Sequence, residues 1–247
     1  EDRVVATAAP AGPAFEGAQI HDGMRASEGA IEAVEINSHE IKLKVIGDCE
    51  PVGLCGSGLV DAVAQARITG LLDATGRFLT HEKATNCLEI SNELIDRIIK
   101  FDDGMLGFVL AWEHETQHGR RIILSQRDIR ELQFAKAAIA SGIDVVMREL
   151  GVDVNDLQEI FLAGSFGSYI NPQSARVIGL VPPISVKNIK AVGNAAGEGA
   201  KIALLSFRQR NIAYELPRFV EYHELSGRAD FNDAFIDVLN FPDLLQL

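Results

Sequence analysis

Three times along this chain an extended apolar run breaks into small residues and then into a helix-like run: at Gly56-Ser57-Gly58, at Gly164-Ser165-Phe166-Gly167 and at Gly193-Asn194-Ala195-Ala196-Gly197. A strand that feeds a helix through a tight glycine turn is the repeating unit of an α/β domain with a partly parallel sheet. Each turn also offers chemistry. Glycine lets a ligand come close to the backbone, and the helix start behind it presents unpaired N–H groups and the positive end of the dipole. Three such turns on one sheet edge would line a nucleotide crevice, although any α/β domain also uses single turns of this kind for packing alone.

The rest of the pattern fits the same class. Val4 to Ala8 reads as a short buried strand, and Pro13 suits the first turn of a helix. Ile31 to Ile36 and Ile41 to Ile46 alternate apolar and polar residues around Asn37-Ser38-His39-Glu40, which predicts a hairpin. Residues 70–105 read as a variable insertion with a weak helical stretch from Leu94 to Ile99. Phe108 to Trp112 and Arg121 to Ser125 predict two strands around a polar turn. From Ile129 the apolar positions Leu132, Ala135, Ile139, Ile143, Val146 and Leu150 recur at steps of three and four, and Gly151 ends a long one-sided helix. Leu157 to Ala163 predicts a buried strand and Ile189 to Val192 another short strand, with Trp112 and Phe161 in the core. Asn171-Pro172 caps a helix over 174–178, and Ala195 to Leu205 continues as an alanine-rich helix. Tyr214 to Tyr222 and Phe231 to Leu239 read as amphipathic helical pieces.

Charge narrows the function. With 23 Lys and Arg against 35 Asp and Glu the net charge is 23 − 35 = −12, which argues against a nucleic-acid or anionic-membrane surface. An anion bound here must be held locally. No apolar run reaches the roughly 18 residues that cross a bilayer, and Glu1-Asp2-Arg3-Val4-Val5 has no signal-peptide character. Three cysteines, Cys49, Cys55 and Cys87, cannot all pair and form no C-x-x-C, so the expected setting is reducing and cytoplasmic. A start without methionine inside a strand-like run suggests a piece of something longer.

Five blocks taken in order carry a resemblance. They are 9–17 (Ala-Pro-Ala-Gly-Pro-Ala-Phe-Glu-Gly), 53–63 (Gly-Leu-Cys-Gly-Ser-Gly-Leu-Val-Asp-Ala-Val), 126–133 (Gln-Arg-Asp-Ile-Arg-Glu-Leu-Gln), 161–167 (Phe-Leu-Ala-Gly-Ser-Phe-Gly) and 192–197 (Val-Gly-Asn-Ala-Ala-Gly). Together they resemble the C-terminal actin-like ATPase region of the reductive activators of corrinoid proteins, over nearly the whole of residues 1–247. The resemblance implies a ribonuclease-H-like, actin-like ATPase fold, a mixed sheet with helices on both faces, seen here as the second lobe. It implies ATP and Mg²⁺ in the intact protein and a 2Fe-2S cluster in a separate ferredoxin-like domain. Its partners would be an electron donor and a corrinoid protein of a methyltransferase system, reduced from Co(II) to Co(I).

In the site that the resemblance implies, Gly164, Ser165, Phe166 and Gly167 cradle adenine and ribose. Gln133 and Lys136, one turn apart on a helix face, hydrogen-bond from opposite, and Gly193 and Asn194 close the pocket from below. Gly56, Ser57 and Gly58 form the third turn. The departures matter as well. The resemblance implies two Asp-x-Gly-Thr phosphate hairpins N-terminal to the first of these blocks; nothing within the chain fits them, Asp102-Asp103-Gly104 being followed by Met105-Leu106, and the cluster cysteines are lacking. Two other readings stay open: a nucleotide-independent docking or homodimerisation module, and a small-molecule kinase of the acetate or sugar type. His114-Glu115-Thr116-Gln117-His118 matches H-E-x-x-H, but between two strand-like runs it reads as a solvated turn rather than a zinc site. Cys55 fits a small residue filling a tight turn, Asp61 a carboxylate near a helix start, and Glu16 either an exposed carboxylate or one facing nucleotide.

Overall fold

A computed structural model describes residues 3–246, so Glu1 and Asp2 of the N-terminal reading, and Leu247, lie outside the described residues. The first half builds on a three-stranded sheet. After strand β1 (Val4–Ala6), β2 (Ala30–Ile36) pairs antiparallel with β3 (Ile41–Val45) and parallel with β4 (Gly53–Leu54). Cys55 then leads into helix α1 (Gly56–Ile68), which lies on β2 and has eleven of its thirteen residues buried. The helix expected at Pro13 is only a 3-10 turn, Ala14–Glu16, because Gly17 leaves it in the left-handed region at φ 78°.

Residues 70–105 are better ordered than an insertion would suggest. They form α2 (His81–Cys87), α3 (Asn92–Ile95) and β5 (Ile98–Lys100), and Leu71, Leu72, Leu94 and Ile95 are all core residues. Strand β5 extends the hairpin of β6 (Leu106–Ala111) and β7 (Ile122–Ser125), placing β6 in the centre. Ser125 starts α4 (Gln126–Leu150) through a reciprocal cap: its Oγ accepts from Asp128 N at 3.2 Å while Asp128 Oδ2 accepts from Ser125 N at 2.7 Å. Gly151 at φ 68° ends the helix. Ile129, Leu132 and Ala135 are in the core, whereas Ile139, Ile143, Val146 and Leu150, farther along the same stripe, are only half-buried.

The last third carries the other two glycine turns. Strand β8 (Ile160–Ala163) runs into α5 (Gly164–Tyr169), then α6 (Pro172–Val177), whose start is capped by Asn171 Oδ1 accepting from Gln173 N at 2.9 Å. Strand β9 (Ile189–Gly193) pairs parallel with β8 and leads into α7 (Ala195–Leu205) and α8 (Phe207–Glu215). The segment around Tyr222, expected to be helical, ends as β10 (Val220–Tyr222), which pairs parallel with β1; α9 (Ala229–Asp237) then packs on α4. Among the described residues the mixed α/β arrangement is thus divided among four short sheets. Strand β8 is not buried as expected: Phe161 is 58% exposed.

Candidate functional site

Two of the three glycine turns meet. In the β8–β9 pair, Ala163 lies opposite Gly193, so Gly193 and Gly164, the residue after Ala163, both stand at the C-terminal ends of neighbouring parallel strands. That is the edge where open α/β sheets hold ligands. Gly164 has φ +88° and Gly193 φ +67°, and a Cβ added at either would meet nothing within 4 Å. The left-handed backbone, not crowding, calls for glycine here, and it leaves open space in front of both residues. Ser165 and Asn194 are exposed on the same edge. Asn194 Oδ1 is engaged as the α7 cap, accepting from Gly197 N at 2.9 Å. Ser168 Oγ donates to Gly164 O at 2.7 Å and steadies the turn.

The remaining residues of this motif face inward. Phe166 packs its ring on Phe15, with centroids 4.7 Å apart, and Gly167 leaves no room for a Cβ because Leu162 C would lie 2.9 Å away. The third turn adjoins through this aromatic pair but is closed. A Cβ on Gly56 would come 2.0 Å from Phe15 O, and one on Gly58 2.2 Å from Ile31 O. Ser57 Oγ donates to Glu32 O at 2.9 Å, and Cys55 Sγ lies 3.3 Å from Ile31 O. Gly56, Ser57 and Gly58 therefore bring α1 onto β2 and present no surface to a cofactor. This corrects the expectation that they line the crevice.

Gln133 and Lys136 are likewise occupied elsewhere. Both are 1% exposed and point at the segment after α9. Lys136 Nζ donates to the carbonyls of Val238 and, at 2.6 Å, of Asn240, while Gln133 Nε2 donates to Leu239 O at 3.2 Å. Arg67 of α1 completes the grip, with Nη2 donating to Pro242 O at 3.2 Å. Burial without a carboxylate pulls the Lys136 ammonium down to about 8. These side chains clamp the C-terminal segment in place of the expected ribose and adenine. Sequence reading missed this partner, whose one signal is Phe241-Pro242, an apolar pair after a helix end.

Elsewhere, burial raises Asp61 to about 6, against hydrogen bonds from Ser174 and the Val34 backbone. Glu16 is exposed. The H-E-x-x-H segment joins β6 and β7: residues 113–115 form one 3-10 turn, and the His118 ring is fixed by Val52 O at 3.0 Å and by the Arg120 N–H at 3.1 Å. Its two histidines share no α-helical face. Among the described residues no cluster of His, Cys, Asp or Glu could hold a metal, and no helix is long and apolar enough to cross a membrane.

Residues 1–246 match the family described as the C-terminal domain of RACo, the ASKHA domain. The chain is 34% identical over 242 residues to the corrinoid activation enzyme RamQ of Eubacterium limosum, covering 98% of this chain and 40% of that protein. It is 22% identical over 263 residues to a Co(II) methylated amine-specific corrinoid protein reductase of Methanosarcina barkeri, covering 97% of this chain and 43% of that one. A solved reductive activator for corrinoid, iron-sulfur protein superposes with a TM-score of 0.84 at 37% identity, over 98% of this chain and 37% of its own. The chain thus spans about two-fifths of the length of the relatives it matches.

Proposed function

Because this chain belongs to the family of C-terminal ASKHA domains of the reductive activators of corrinoid proteins, we propose that it supplies the nucleoside-binding lobe for ATP-dependent reduction of a corrinoid methyl carrier. In that reaction one electron, delivered by a donor through a 2Fe-2S cluster held elsewhere in the protein, converts Co(II) to Co(I). The observation that carries the reading is the pair of left-handed glycines, Gly164 and Gly193, at the C-terminal ends of the parallel strands β8 and β9 with open space ahead of them. Adenine and ribose would lie over this main-chain ledge, bordered by Ser165 and Asn194. The residues present fit the nucleoside. They do not fit Mg²⁺ or the cluster, since the acidic residues and Cys49, Cys55 and Cys87 gather no ligand set among the described residues. Phosphates and metal belong to groups outside this chain, and change of the angle between lobes on ATP hydrolysis would couple nucleotide to docking of the corrinoid partner.

Titration of the full-length protein with ATP and Mg²⁺ tests the reading. Gly164→Val should weaken nucleotide binding at least about tenfold, because it forces the φ +88° backbone to reorganise. Unchanged affinity would remove Gly164 from the site. Residues 1–247 alone should hydrolyse ATP negligibly, since phosphoryl transfer depends on metal and phosphate positioning. Exposure of Leu205 at 85% and Phe207 at 74% favours a second reading, a docking or dimerisation surface that needs no nucleotide, and the same titration separates the two.

A further inference from the structure

Lys136 does more than hold the C-terminal segment. It lines a cavity of about 420 Å³ between α4, the loop after α6 and the residues that follow α9, within the roughly 300–1,000 Å³ that suits a small molecule. The neighbours of its ammonium line the same cavity: Val238 and Asn240, whose carbonyls accept from it, Phe241, whose ring centroid is 5.5 Å from Nζ, and Gly179. All of them are neutral. A lysine ammonium carries three hydrogens, and among the described residues it meets only two oxygen acceptors. The two carboxylates on the cavity form no ion pair with Lys136: Asp144 pairs with Arg148 at 2.6 Å, and Asp237 stands exposed at the end of α9. Arg176, whose Nη1 donates to Ile184 O at 3.2 Å, lines the cavity too and adds to its positive side. A buried charge with only neutral neighbours is costly, and burial alone brings this ammonium down to about 8.

We propose that this cavity binds a small organic acid, its carboxylate on Lys136 and its apolar body against Ala140, Met147, Val154 and Phe241. The carboxylate supplies both the third acceptor and the countercharge that the ammonium lacks. The walls select the rest of the ligand. Met147 and Phe241 are buried apolar residues, and inorganic phosphate has no apolar part to cover them. An amine meets a like charge. A bound acid also acts on the fold, because Lys136 holds the carbonyls of Val238 and Asn240 and so ties the ligand to the C-terminal segment. The inference does not depend on nucleotide binding.

Titration of the full-length protein with hexanoate tests it, with hexan-1-ol as the uncharged probe of the same length. Hexanoate should bind saturably at one site, with a Kd of about 1 mM or below, and should slow proteolysis after Asp237. Hexan-1-ol should bind at least about tenfold more weakly, since it lacks the charge that compensates the ammonium. Lys136→Met should remove that preference. Ala140→Phe fills the cavity from a half-buried position on α4 and leaves the Lys136 donors in place, so it should abolish hexanoate binding in a protein that still folds. Absence of saturable binding, equal affinity for the alcohol, or unchanged affinity in Ala140→Phe would overturn the proposal. ATP affinity enters none of these readings, so failure here is distinct from failure of the nucleoside site.

Discussion

Helices α1 and α7 start from the same kind of sequence, a strand, a glycine turn and an alanine-rich run, and the fold treats them in opposite ways. Eleven of thirteen residues of α1 are buried and none of α7 is. The difference lies in what stands opposite. Gly56 and Gly58 let α1 touch the backbone at Phe15 and Ile31, whereas Gly164, Gly193 and Gly199 have nothing within 4 Å. A glycine turn is thus a packing device where another element closes on it and a ledge where none does.

The sharpest way to break this comparison is Gly58→Val. Its Cβ would sit 2.2 Å from Ile31 O, a backbone atom that cannot move alone, so the variant should lose about 3 kcal/mol or more in urea unfolding. A loss under about 1 kcal/mol would mean that α1 is not seated as described. Next is Asp61→Asn, inside the same packed unit. The folded carboxyl sits at about 6, above its ordinary 3.8, so the native state holds the proton more tightly than the unfolded chain. Stability from this group is therefore full below about pH 4 and falls as pH rises through 6. The asparagine variant should flatten that slope, with a difference of up to about 3 kcal/mol across the window.

Lys136→Met tests the clamp on the C-terminal segment. It leaves the carbonyls of Val238 and Asn240 without their donor and should cost about 1–3 kcal/mol, with faster proteolysis after Asp237. The smallest effect should come from Gly199→Ala, in the open helix. With no neighbour within 4 Å, the substitution should stabilise by about 1 kcal/mol through helix propensity alone. Destabilisation would show that something rests on α7.

What could be read from the sequence followed the range of the forces involved. The long helix was legible because the three-and-four spacing and Gly151 act within one or two turns of it, as does the Ser125–Asp128 cap that the fold adds. The turns at Gly164 and Gly193 were legible for the same local reason. Residues Val220 to Tyr222 read as helix because the pairing that makes them a strand comes from β1, across most of the chain. Gln133 and Lys136 lie on one face as their spacing requires, but the acceptors they meet sit about a hundred residues later. The burial of Gly56 to Gly58 was hidden likewise, since the residues that close on them, Phe15 and Ile31, belong to other elements.

The register of β1 with β10, Val4 beside Val220 and Ala6 beside Tyr222, carries a kinetic consequence. Closing a loop that long costs entropy before any of its few contacts repays it, so this ribbon should be among the last parts to assemble when the chain refolds. Cutting the backbone between Leu216 and Phe219 should then loosen Val4 to Ala6 while leaving the packing of α1 on β2 standing.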